Sequence, residues 1–323
     1  MITFQEALAV INKEIQRIDY PHDASGLYKP VAYLLSLKGK KIRPALTLLA
    51  CNLYREEVDE AISPALAWEI FHNFTLMHDD VMDKADIRRG QPTVHKQWNE
   101  NTAILSGDAM LILAYSYMAK SPQSKLKLLL DLFSDTAASI CSGQQYDMDF
   151  EKRMDVTESE YINMIYLKTA IMMGACLQTG AIIGDAGASD RQNLYDFGIH
   201  LGIAFQIEDD ILDVYGDPEA FGKKIGGDIL CNKKTYLLIK ALDIAKGDDK
   251  KELLHWIKND VQSDSKIKAV RDLYDKLAVK EEAYAIIAAY CKQAEIALQA
   301  VAVDEEKKEI LMNFARNLKD RKY

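Results

Sequence analysis

Residues 190–215 read DRQNLYDFGIHLGIAFQIEDDILDVY. Apolar side chains return at Leu194, Phe197, Leu201, Ala204, Ile207 and Ile211. Steps of three and four residues keep them on one face of an α-helix. Segments 59–83, 102–121, 123–150 and 158–184 carry the same spacing. Between Pro122 and Pro218, and again after Pro218, no proline interrupts a long helix. Thr3 with Glu6, and Thr157 with Glu160, have the spacing of capping boxes that start helices. The chain shows neither convincing period-two alternation nor an Asn-Gly hairpin turn. Weak breaks fall at 20–26, 84–101, 185–189, 216–231 and 246–249, none long enough to divide the chain. The reading is a single all-α domain over residues 1–323, with helices around one core.

Composition bounds the function. Of 323 residues 49% are hydrophobic, which supports a sizeable core and argues against disorder. The 28% that are charged, with no apolar run near eighteen residues, argue against a membrane span. The start, MITFQEALAVINKEIQR, lacks the basic and apolar regions of a secretory signal. Forty Lys+Arg against forty-nine Asp+Glu leave a net charge of −9, a poor balance for binding nucleic acid. Cys51, Cys141, Cys176, Cys231 and Cys291 are dispersed with no CxxC, which excludes zinc-ribbon motifs and fits a reduced cytoplasm.

Acid placement is the strongest chemical signal. Asp79, Asp80 and Asp83 form one D-D-x-x-D; Asp209, Asp210 and Asp213 form another. On a helix the first and last acid of each motif stack one turn apart, which is unfavourable without a counter-charge. Apolar turns precede both motifs, so the acids sit at the inner ends of helices. Carboxylates alone suit a hard cation, and Mg²⁺ bridges carboxylates to substrate phosphates. Cations accompany both motifs: Lys38, Lys40, Lys41 and Arg43 in KGKKIRP, Arg88-Arg89, Lys223-Lys224 and Lys233-Lys234. Arg offers phosphate a planar fork and Lys a movable charge. GxxxxGK[ST] and GxGxxG are absent, so nucleotide sites lack their usual cradle. The pattern points to a metal–diphosphate site.

These residues together resemble the trans-isoprenyl diphosphate synthases, the polyprenyl synthetase family. GKKIRP, HDDVMD, RRGQPTVH, FQIEDDILD and KKTYL carry the resemblance, which covers most of the chain. It implies an all-α bundle around a deep apolar cavity, normally a homodimer in the cytoplasm without a stable membrane anchor. It implies Mg²⁺-dependent condensation of isopentenyl diphosphate with an allylic diphosphate (dimethylallyl, geranyl or farnesyl). Asp79, Asp80, Asp83, Asp209, Asp210 and Asp213 would bind the metal, three ions per site with substrate bound. Arg88, Lys168, Lys223 and Lys234 match positions that clamp the allylic diphosphate. Lys40, Arg43, His72 and Arg89 match those that hold isopentenyl diphosphate, and Thr169 and Gln206 those lining the reacting carbons. Lys38 stands where the family often has a glycine.

In this family the product grows beside the first acid helix, where Phe74 and Thr75 precede Asp79 by five and four residues. Five residues are roughly 7–8 Å of helix, so a ring there would floor the cavity after a few isoprene units. HNFTLMHDD resembles the archaeal geranylgeranyl type, favouring a twenty-carbon product over fifteen or longer. A class I terpene cyclase usually lacks the second D-D-x-x-D, and a noncatalytic partner subunit would lose its acids. A di-iron carboxylate bundle would use E-x-x-H, found at Glu69–His72 and Glu252–His255. Residues 216–231 and the tail Arg321-Lys322 are candidates for closing the site.

Overall fold

The computed structural model describes residues 1–21, 24–216, 225–258 and 263–319. Helices α1 (Phe4–Gln16), α2 (Ser25–Ser36), α3 (Ile42–Asn52) and α4 (Asp59–Met82) lead to a hairpin, β1 (Ile87–Arg88) and β2 (Gln91–Pro92). There follow α5 (Val94–Gln97), α6 (Glu100–Met118), α7 (Leu126–Glu151), α8 (Glu158–Ile165), a π-helical turn at Tyr166–Ala170, α9 (Ile171–Ile183) and α10 (Ala188–Tyr215). Next come α11 (Gly227–Leu230), α12 (Tyr236–Ile244), α13 (Gly247–Lys258), α14 (Asp264–Lys276), α15 (Val279–Gln299) and α16 (Glu305–Lys319). Both expected capping boxes form, at Thr3–Glu6 and Thr157–Glu160.

Contacts divide the chain into two compact units. The first comprises Met1–Asp135, Ala175–Tyr195 and Ala300–Leu311; the second comprises Thr136–Gly174, Asp196–Gln299 and the chain from Met312. In the first unit, Trp68, Phe71 and Phe133 are at most 1% exposed and pack with ring centroids 4.7–6.3 Å apart. Trp68 donates Nε1–H to Thr179 Oγ1 at 3.0 Å, which satisfies the one polar atom that the indole buries. α3 is buried throughout Pro44–Asn52. Gly180 makes its crossing with α9 possible, since a Cβ there would lie 2.1 Å from Thr47 O. In the second unit Tyr161, Tyr236, Phe197 and Tyr274 are 2% exposed or less.

Two features depart from the sequence reading. Residues 87–92 form a two-residue antiparallel ladder closed by Arg89 (φ 54°) and Gly90 (φ 76°). Two successive left-handed residues define the turn that matches strand twist, with Arg-Gly in place of the commoner Asn-Gly. Segment 158–184, expected as one helix, contains the π-helical turn. Among the described residues Glu158–Ile183 is long and apolar enough to cross a membrane, but 72% of its apolar window is buried in the protein.

Candidate active site

The first acid motif ends α4. Asp80 is 3% exposed and accepts from Arg88 through both oxygens, with Nη2–Oδ1 at 2.5 Å and Nε–Oδ1 at 3.1 Å. The hairpin brings Arg88 there, held by Ala85 N–H to Asp80 O at 3.0 Å and Thr93 N–H to Asp86 O at 3.0 Å. Burial raises the Asp80 pKa, and the Arg88 guanidinium opposes the rise. Asp83 caps α4, its N–H on Asp79 O at 2.8 Å, so the two stack one turn apart. Asp79 is half-buried and Asp83 exposed.

A group of cations gathers in the same unit. Lys41 takes a left-handed conformation (φ 42°) at the start of α3, which carries Arg43. Arg43 Nη1 donates to His72 Nε2 at 3.3 Å, and Arg89 Nη1 to Asn73 Oδ1 at 3.3 Å. Lys40 is exposed. Burial lowers the pKa of both Lys41 and Arg89, and the charge of Glu69, 2% exposed, opposes the fall.

The second motif lies near the end of α10. Asp210 accepts from Tyr161 OH, from Tyr236 N–H at 2.9 Å and from Gln206 Nε2 at 3.4 Å. Burial and then Asp228 push its pKa up to about 7, against Tyr161, the Tyr236 N–H and Lys233. Thr169 donates to Gln206 Oε1 at 3.1 Å, which joins the π-helical turn to the acid motif. Lys168, on the same turn, pairs with Asp147 at 2.5 Å. Asp213 accepts from Asp228 N–H at 3.0 Å and fixes the turn at Gly226–Asp228. Lys266, 1% exposed, secures the next stretch by donating to Asn232 Oδ1 at 2.8 Å and Leu230 O at 3.3 Å. That stretch presents Lys233 and Lys234 to a cavity lined also by Lys168, Thr169, Gln206 and Asp210. Lys234 is 5% exposed and donates to Asn232 O at 3.2 Å; burial lowers its pKa.

The polyprenyl synthetase profile matches residues 24–274. The chain belongs to the polyprenyl synthetase family, the trans-isoprenyl diphosphate synthases. It is 36% identical over 288 residues to a short chain isoprenyl diphosphate synthase of Methanothermobacter thermautotrophicus, covering 88% of each chain. It is 36% identical over 284 residues to a geranylgeranyl diphosphate synthase of Sulfolobus acidocaldarius, covering 87% of this chain and 86% of that one. A crystal structure of a geranylgeranyl pyrophosphate synthase superposes with a TM-score of 0.95 at 41% identity over 100% of both chains.

Within this synthetase the structure brings the expected residues together in two sets. Asp79, Asp80, Asp83, Arg88, Arg89, Lys40, Arg43 and His72 belong to the first unit; Lys168, Thr169, Gln206, Asp209, Asp210, Asp213 and Lys234 belong to the second. Asp80 and Asp210, both expected as metal ligands, spend oxygens on protein donors, as a buried carboxylate must. Asp209 is half-buried. Lys223, Lys224 and Arg321-Lys322 lie outside the described residues, as does 217–224, half of the expected closing loop. Asp147 and Tyr161 escaped the sequence reading. Gly143, mid-helix in α7, signals the first: a Cβ there would lie 2.4 Å from Lys168 N, so the helix passes against the turn that Asp147 holds.

Burial and then the charges of Arg43, Arg89 and Arg88 hold the His72 pKa well below the ordinary imidazole value. The unfolded chain therefore binds a proton near pH 6.5 that the folded one refuses, so stability falls on acidification below that point. Between pH 7 and pH 5 the wild-type Tm should fall by a few degrees more than that of His72→Gln. Equal falls in thermal scans would show that His72 is not the proton-linked group.

Proposed function

We propose that this chain condenses isopentenyl diphosphate head-to-tail with an allylic diphosphate and that its main product is geranylgeranyl diphosphate. The observation that carries the reading is two acid-ended helices, α4 and α10, each with arginine or lysine held beside its acids. Family membership and the relatives named geranylgeranyl synthases support it.

The acids fit Mg²⁺. Asp79 and Asp83 stand on successive turns, and every donor is a carboxylate oxygen. Among the described residues no three acids, histidines or cysteines enclose an ion by themselves. That suits a cation that keeps waters and shares its remaining positions with phosphate oxygens. Asp79, Asp83 and Asp209 would make the direct contacts, while Asp80, Asp210 and Asp213 hold Arg88, Tyr161 and the Gly226–Asp228 turn. Bound Mg²⁺, up to three ions, would neutralise the departing diphosphate.

Arg88, Lys168 and Lys234, with Lys223, add positive charge where that leaving group develops negative charge. Lys40, Arg43, His72 and Arg89 hold isopentenyl diphosphate, so that positioning replaces a bimolecular encounter. The allylic carbon–oxygen bond breaks to give diphosphate and a delocalised allylic cation, which the double bond of isopentenyl diphosphate then attacks. Thr169 and Gln206 direct polar atoms to the reacting carbons. One proton then leaves to a diphosphate oxygen, which restores a double bond and requires no protein base.

The fold reading extends to one domain over 1–323, since each compact unit is assembled from three separate stretches and no single cut parts them. A homodimer is supported by Ile104, Leu105 and Ile112, exposed at 44%, 60% and 69% along α6. A cytoplasmic location suits five free cysteines.

The test supplies purified protein with Mg²⁺, labelled isopentenyl diphosphate and dimethylallyl, geranyl or farnesyl diphosphate, then sizes the products. Twenty-carbon product is expected, with activity lost on chelation and restored by Mg²⁺. Fifteen-carbon or longer products would overturn the chain length; no consumption of any starter by folded protein would overturn the synthase reading.

A further inference from the structure

Arg88 and Arg89 are neighbours in sequence but take different acceptors: Arg88 goes to Asp80 and Arg89 to Asn73. The Arg89 site is built from several sides. Asn73, fully buried, accepts from Arg89 Nη1 at 3.3 Å. The amide of Asn73 cannot turn round, because its Nδ2 donates to Glu69 O at 2.8 Å and Glu69 Oε1 at 3.0 Å. A backbone carbonyl only accepts, so Glu69 O fixes which end of the amide faces the guanidinium. Against the guanidinium lies Gly39. A Cβ at residue 39 would fall 2.8 Å from Arg89 Cζ, 3.0 Å from Nη1 and 3.1 Å from Nη2. Near-equal distances to the three atoms mean that the missing side chain would press on the centre of the group.

We propose that Gly39, Asn73 and Glu69 are positioning residues that hold the Arg89 guanidinium ready for the diphosphate of isopentenyl diphosphate. The proposal rests on the reading of Arg89 as a ligand of that substrate. An arginine side chain loses rotamer freedom when it grips an anion. A guanidinium fixed before the substrate arrives avoids that loss on binding, so the seat acts on affinity for one substrate. Glu69, 2% exposed, adds a buried counter-charge that opposes the effect of burial on Arg89 and Lys41.

Gly39→Ala is the sharpest variant. Gly39 is exposed and its φ is not in the left-handed region, so alanine fits the backbone and only the flexible arginine end must move. Steady-state kinetics should show KM for isopentenyl diphosphate raised about ten-fold, the size of a lost hydrogen bond to a charged group. KM for the allylic diphosphate and Tm should stay at the wild-type values. Asn73→Leu should raise the same KM, with some loss of Tm. In the Arg89→Ala background, Gly39→Ala should add nothing, because the group it positions is gone. An unchanged KM in Arg89→Ala would overturn the Arg89 reading and the seat with it. A raised KM in Arg89→Ala with an unchanged KM in Gly39→Ala, or additive effects in the double variant, would overturn the seat alone.

Discussion

Asp83→Ala is expected to lower turnover by about a thousand-fold, the scale of losing preorganised charge stabilisation, while Tm moves by no more than about 2 °C. The separation follows from where the acid stands. Asp83 caps α4 in solvent, and its side chain carries none of the packing of the first unit. Asp80, three residues earlier, is 3% exposed and pairs with an Arg88 side chain that is only 20% exposed. Asp80→Asn should therefore lose both turnover and stability, by about 3 kcal/mol, because it strands a poorly solvated guanidinium. Turnover, thermal melts and Mg²⁺ titrations on the two variants distinguish a metal ligand from a structural partner. Near wild-type turnover in Asp83→Ala at saturating Mg²⁺ would remove Asp83 from the reaction.

The long helices expected at 59–83, 102–121, 123–150 and 190–215 were legible because each is periodic and its interior free of proline; Pro64 is tolerated in the early turns of α4. Both acid motifs were legible because i,i+4 carboxylates after apolar turns are costly without a purpose. The hairpin at 87–92 was not, since two residues per strand cannot establish a period. Nor was the π-helical turn, because one added residue shifts the helical phase without breaking the apolar pattern that surrounds it. Yet that turn carries Lys168 and Thr169. The partition into two compact units left no mark either, because its boundaries at 135–136, 174–175 and 195–196 fall inside α7, α9 and α10. Gly39 belonged to a motif read for its cations; only a side chain from a distant hairpin reveals what its lack of Cβ permits.

Phe74→Ala is expected to move the main product from twenty carbons to twenty-five and beyond, while the first condensation slows by no more than about three-fold. Phe74 lies five residues before Asp79, about 7–8 Å along α4 from the proposed diphosphate end. Its half-buried ring has centroids 5.5 Å from Phe71 and 4.8 Å from His78, in tilted and edge-on contacts. His78 is itself held by Ile104 O at 3.0 Å, and Gly107 leaves room for it, since a Cβ there would lie 2.2 Å from Nε2. The ring is thus braced on two sides. Truncation removes about the volume of one isoprene unit at a site that Phe71, 1% exposed, still backs, so the fold loses only about 2 kcal/mol. The converse change tests the same floor. Thr75 donates to His72 O at 2.8 Å, and Thr75→Phe would set a second ring one residue nearer the acids. Product should then stop at fifteen carbons. Chromatography that finds twenty-carbon product from both variants would place the floor of the cavity elsewhere, because two opposite changes of volume in one turn cannot both be silent at a stop.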